Sequence, residues 1–177
     1  MRSTSRFIYC YRNPKDVAVS YWNHIKTLRA LYGDKAADFT FTEFFEKIFT
    51  QEKVCDFAFW EDHVMHWLKE ANTGKILFLS YEDLSENTER ELNKIISFLE
   101  LSVTQEHIAH VLEASSFETM KDNKAVNIKH ITGNNGDFVR KGKVGGWAET
   151  LTEEQSACLD VGIQKVRKAG GYIRCNL

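Results

Sequence analysis

The apolar positions of this chain fall into two rhythms. From Phe7 to Tyr11, "FIYCY" is a continuous apolar and aromatic run that stops at Arg12-Asn13-Pro14, which reads as a buried strand meeting a turn. Lys75 to Ser80, "KILFLS", repeats the pattern and is followed by an acidic stretch, "YEDLSEN", and then a helix to about Leu99. Runs of this kind, each feeding a helix, predict strands of a parallel sheet covered on both faces.

Elsewhere the apolar residues recur at three- and four-residue spacing. "KDVAVSYWNHIKTL" reads as the helix after the first strand, with Asp16 favourably placed in its first turn. "FTEFFEKIF" and "FWEDHVMHWLKEA" carry helical stripes, and Gly74 closes the second. Thr152 and Gln155 form a capping box for a last helix that stops at Gly170 and Gly171. From Asn123 to Trp147 no period is visible, over a length beyond ordinary connections, which marks a functional or mobile stretch. The class this predicts is α/β, a parallel sheet flanked by helices. The recognisable strands are fewer than the roughly 4–6 of a common sheet, so either strands escape the pattern or the chain holds part of its domain.

Composition narrows the field. The chain has 177 residues, 43% hydrophobic and 12% aromatic, enough for one domain spanning residues 1–177 with a real core. A net charge of −2 argues against a general nucleic-acid binder, so any anion must be held locally. Cys10, Cys55, Cys158 and Cys175 share no metal-like spacing and read as reduced thiols. No apolar run approaches the ~20 residues that span a bilayer, and the start of the chain lacks signal-peptide features. The expectation is a cytoplasmic protein without a membrane partner.

Two segments could cradle an anion. In "YRNPKDVAVS", Arg12 stands at a strand end and Ser20 on the following helix, where a guanidinium and a hydroxyl can converge on one phosphate. The plainer alternative is that Arg12 pairs with a nearby carboxylate and Ser20 packs the helix. In "DFVRKGKVGGW", Arg140 and Lys141 supply charge while Gly142 lets backbone N–H groups turn inward without a Cβ in the way. The alternative there is a solvated basic loop. The histidine pairs His63/His66 and His107/His110 have i, i+3 spacing, but no third ligand matches them, so no metal is expected.

Taken together, "RNPKDVAVSYW" and "FVRKGKVGGW", with "FLSYEDL" and "SSFETMKDN" in order between them, resemble the cytosolic sulfotransferase family. The resemblance runs from about Arg6 to the C-terminus and implies the P-loop-NTPase-like sulfotransferase fold, incomplete at its N-terminus. It implies 3′-phosphoadenosine 5′-phosphosulfate (PAPS) as co-substrate. Arg12 and Ser20 match the first 3′-phosphate ligands, and Arg140, Lys141 and Gly142 match the loop that closes over that phosphate. Tyr81 matches a tyrosine that reaches the adenine. Ser115 and Phe117 match the hydroxyl and aromatic that hold it, and Phe138 matches another residue beside the nucleotide.

The family's phosphate loop and base histidine precede the "RNPKD" motif, whereas this sequence begins eleven residues before Arg12 with neither. The catalytic residues are therefore unassigned. His24 is the histidine nearest the site in sequence, though a base also needs hydrogen-bond reach to the acceptor. Ala148 and Ala157 stand where the family's dimerisation segment carries a lysine and a glutamate, with Thr152 kept between, which puts the usual homodimer in question. The expected function is transfer of a sulfuryl group from PAPS to a small phenol, steroid, alcohol or amine. The alternative is a non-catalytic phosphoadenosine-binding fragment. The aromatic stretch "CDFAFWEDH" is expected to border an apolar acceptor.

Overall fold

A computed structural model describes residues 5–31, 40–50, 59–127 and 139–174 of the chain. Strand β1, Phe7–Tyr11, pairs in parallel with β2, Ile76–Ser80, in the register Tyr9 to Phe78 and Tyr11 to Ser80. Among the described residues these form a two-stranded sheet. Helix α1, Pro14–Leu31, follows β1 directly. Pro14 suits its first position, where an N–H would lack a helical partner in any case. Asn13 caps it, its Oδ1 accepting the Lys15 N–H at 3.0 Å.

Helix α2, Phe41–Phe44, runs on into a π-helical turn, Phe45–Phe49. Helix α3, Trp60–Lys69, ends through a short 3₁₀ turn at Gly74, whose φ of 68° supplies the expected left-handed stop. Helices α4 (Tyr81–Glu86), α5 (Thr88–Leu99), α6 (Gln105–Ala114) and α7 (Phe117–Asp122) succeed one another after β2. The last helix, α8, spans Glu153–Lys168 and opens on the Thr152–Gln155 capping box. The acidic stretch after β2 is thus a helix of its own rather than a connection. Ser80 starts it, its Oγ accepting the Asp83 N–H at 3.0 Å.

Two apolar cores hold these pieces. Ala18 and Val19 of α1 meet Phe41, Phe44 and Phe45, with Trp147 and Leu151 packed alongside. Val64 of α3 meets Ile163 and Val166 of α8 and Ile173 beyond it, with Tyr9 and Tyr11 of β1 against them. This second core closes one face of the sheet, where Tyr9 stacks on Trp67 at 5.2 Å and meets Phe78 edge-on at 5.5 Å. The parallel sheet is flanked by helices, as expected, with the cover uneven between its two strands. Helices α4 and α5 pack on β2, but Ile8 is 43% exposed and Cys10 is exposed on the opposite face of β1. An apolar run records which residues suit burial, not how much partner surface reaches each strand.

Candidate functional site

The site begins where β1 ends. Arg12 leaves the strand with its carbonyl accepting from the Trp60 indole at 3.1 Å, and its guanidinium lies over the Tyr81 ring at 4.1 Å. Arg12 Nη2 donates to the Lys143 carbonyl at 2.8 Å. The strand end is thereby tied to the basic loop, 131 positions later. Arg12 also lies 3.6 Å from the Asp16 carboxylate, so the plainer reading of a carboxylate partner holds in part. That partner does not exhaust it: Arg12 Nε is buried with no hydrogen-bond partner among the described residues. A buried donor left without an acceptor is costly, and an anion at this position would satisfy it.

Ser20, two turns along α1, is exposed and not a packing residue. With Arg12 and Arg140 it lines two adjoining cavities, of about 260 and 320 Å³. The first adds Tyr81, Phe117, Met120, Lys141 and Gly142; the second adds Tyr21, Asn23, Thr27 and His24. Three residues from β1's end, α1 and the basic loop therefore make a shared wall of two guanidinium groups and a hydroxyl. A larger cavity, about 820 Å³, opens on the reverse of the loop. Arg174 there pairs with Glu86 at 2.7 Å and three carboxylates, Asp16, Glu82 and Glu86, line it, so the Arg12–Ser20–Arg140 wall is the better anion site.

The glycine at position 142 has a specific reason. Its φ is +60°, and a Cβ added there would sit 2.4 Å from Cδ2 of Phe117. The Phe117 ring thus fills the space that any side chain at 142 would need. Lys141 pairs with Glu149 at 2.9 Å, and this hydrogen bond holds the Glu149 carboxyl below its ordinary range. Arg140 is exposed, and no ion pair holds it among the described residues. Gly145, with φ +79°, donates its N–H to Asp16 at 2.9 Å, and the Trp147 N–H donates to the same carboxylate at 3.2 Å. Lys15 lies 4.5 Å over the Trp147 ring and pairs with Asp160 at 2.8 Å.

Of the nine residues expected to hold the nucleotide, Arg12, Ser20, Tyr81, Phe117, Arg140, Lys141 and Gly142 come together around one cavity. Ser115 caps the end of α6, its hydroxyl donating to the Leu112 carbonyl at 3.5 Å, and does not line that cavity. Phe138 lies outside the described residues, as do Cys55, Cys175 and the first four positions of "CDFAFWEDH". Met120 and Asp16 line the cavity without having been expected there. For Met120 a signal existed, since it stands at i+3 from Phe117 on the same helix face.

The histidines divide by environment. His63 Nδ1 lies 2.9 Å from the Tyr9 hydroxyl, and His107 Nδ1 accepts the Thr104 N–H at 3.3 Å in a capping box. Among the described residues His24 alone of the histidines lines either cavity, beside Tyr21 at 6.5 Å between ring centres. No group of three or more His, Cys, Asp or Glu among the described residues could hold a metal ion. No described helix is long and apolar enough to cross a membrane.

Known proteins share this arrangement of sequence and fold. A profile described as "Sulfotransferase domain" matches residues 1–171. Sulfotransferase 1B1 of Canis lupus familiaris is 37% identical over 161 residues, covering 88% of this chain and 52% of that protein. Cytosolic sulfotransferase 12 of Arabidopsis thaliana is 33% identical over 174 residues, covering 96% of this chain and 52% of that protein. The chain spans about half the length of the curated relatives it matches. Among solved structures, retinol dehydratase in complex with androsterone and the inactive cofactor PAP superposes with a TM-score of 0.78 at 28% identity, over 97% of this chain and 50% of that one. A mouse sulfotransferase complexed with PAP gives 0.70 at 28% identity, over 90% of this chain and 57% of that one.

Proposed function

Because the chain belongs to the sulfotransferase family, we propose that it builds the 3′-phosphate and adenine half of a PAPS site in a protein that transfers a sulfuryl group to a small acceptor. The observation that carries this reading is the wall of Arg12, Ser20 and Arg140. It joins a strand end, a helix and a glycine-bearing loop around one cavity whose other side is aromatic. Arg12 and Arg140 supply charge-assisted bonds for a dianion, Ser20 a hydroxyl, and Lys141 and Gly142 the closing loop. Tyr81, Phe117 and Met120 offer apolar and π surface to a flat base.

The residues fit the group on their own chemistry. Arg12 Nε is a buried donor that no acceptor among the described residues satisfies. The Gly142 backbone comes so close to Phe117 that only glycine fits between ring and ligand space. When bound, PAPS supplies the activated sulfuryl group and a phosphate leaving group, whose developing charge is what such a site must stabilise. This chain's part is to grip the far end of the nucleotide, using binding energy there to fix the orientation of the reacting end. The acceptor is a phenol, steroid, alcohol or amine, and the protein is cytoplasmic, in line with the cytosolic relatives.

A second reading is favoured by one feature of the site: the residues that meet there match the 3′-phosphate and adenine ligands, and of the described histidines only His24 lines either cavity. On that reading the chain binds phosphoadenosine without transferring sulfate. Incubation with ³⁵S-labelled PAPS and 2-naphthol separates the two. Labelled naphthyl sulfate supports transfer, and label retained on the chain without product supports the binding module. Absence of both product and retained label contradicts the PAPS site itself.

A further inference from the structure

We propose that Asp16 is a positioning residue of the phosphate site, clamping the basic loop to the strand end that carries Arg12; this rests on the phosphoadenosine reading above. Asp16 lies in the first turn of α1 and is 4% exposed. Its two carboxylate oxygens are used separately. Oδ2 accepts the Gly145 N–H at 2.9 Å and Oδ1 the Trp147 N–H at 3.2 Å. The same Oδ2 lies 3.6 Å from Arg12 Nη2. One buried anion thus touches both the strand end and the glycine-tryptophan end of the basic loop, and Arg12 joins strand end and loop a second time through the Lys143 carbonyl at 2.8 Å.

Electrostatics gives the clamp a purpose. Arg140, Lys141 and Lys143 repel one another and Arg12, so the loop by itself favours solvent. A negative charge buried beneath the loop offsets that repulsion. A carboxylate beside a phosphate site would ordinarily repel the ligand. Here both oxygens are engaged by backbone N–H groups, so the charge serves the loop. Gly145 must be glycine for its N–H to turn down at φ +79°, and Trp147 is held from above by Lys15 and from below by the first core. The glycine-tryptophan end of the loop is therefore an anchor, while Arg140 and Gly142 do the binding.

The amide isostere gives a sharp test. In Asp16→Asn one side-chain oxygen remains as an acceptor, while the NH₂ group faces a backbone N–H. Calorimetric titration with adenosine 3′,5′-bisphosphate (PAP) and adenosine 5′-phosphate compares affinity with and without the 3′-phosphate. We expect the D16N protein to lose about 10- to 100-fold in PAP affinity, the worth of a charge-assisted hydrogen bond. Adenosine 5′-phosphate affinity should change less than about 3-fold, and Asp16→Glu should recover part of the loss. An intact preference for PAP in D16N overturns the proposal, and so does an equal loss for both nucleotides, which marks a merely structural role. If the unaltered chain itself shows no preference, the phosphoadenosine reading is what fails. Amide hydrogen exchange on the unaltered chain tests the clamp whether or not the variants fold. The Gly145 and Trp147 amides should exchange slowly and slow further with PAP, and exchange of both at solvent rates overturns the clamp.

Discussion

Gly142 shows what a single position can and cannot disclose. Its neighbours Arg140 and Lys141 make a phosphate loop legible, and glycine is the residue such a loop needs. The reason for glycine, however, lies in a ring 25 positions upstream, since Phe117 occupies the space of a Cβ. That contact depends on how α7 meets the loop, and no local pattern encodes it. Gly142→Ala places an L side chain at φ +60°, costing about 1–2 kcal/mol, and drives the Cβ into an aromatic ring, adding roughly 1–3 kcal/mol of overpacking. We expect a lower urea midpoint and at least a ~10-fold loss of PAP affinity as ring and loop separate. Binding equal to the parent would show that the loop yields freely.

Tyr9 makes a second residue-scale test. Burial in the aromatic cluster, with a smaller contribution from Cys10, pushes its phenol up to about 12 from the ordinary 10. The folded chain therefore holds this proton after the unfolded chain has released it. The stabilisation is complete below pH 10 and is lost as pH rises towards 12. Burial raises the Tyr11 phenol as well, with Asp83 and Glu82 adding to the effect. Urea midpoints at about pH 9 and 11 should differ, and the difference should shrink in Tyr9→Phe. An unchanged difference in that variant would remove Tyr9 from the account.

At the scale of elements, long periods were legible and short ones were not. The five-residue strands β1 and β2 are readable from their unbroken apolar runs, and helices α1 and α8 from periodicity and end signals that agree over many residues. Helix α4 was hidden because its six residues are too few to show a period, and its acidic composition reads as a connection. Its start was signalled by Ser80 and Asp83 alone. Asp16 was legible as a favourable first-turn charge but not as a loop clamp, since its partners lie 129 and 131 positions away. The capping box of α8 is a local device with a local cost. Thr152→Ala should lower stability by about 1 kcal/mol while leaving nucleotide preference unchanged. A melt indistinguishable from the parent's would mean that packing of Ile163 and Val166 alone holds the helix.

At the scale of the molecule, the fold brings together residues that the chain keeps far apart. One parallel strand pair and the helix leaving it set Arg12 and Ser20, and two anchors return the basic loop to them. The class of fold was readable because its motifs are local, and the same motifs single out the residues that meet at the Arg12–Ser20–Arg140 wall. Ser115, read from the same motif as Phe117, stands off that cavity at the end of α6, where its hydroxyl donates back to the Leu112 carbonyl. This arrangement is built to recognise a 3′-phosphate. The most direct measurement is calorimetric titration of the chain with PAP and, in parallel, with adenosine 5′-phosphate. PAP should bind tighter by about 10- to 100-fold, with the advantage lost in Arg140→Ala. Equal affinity for the two nucleotides, or an advantage that survives Arg140→Ala, would contradict it.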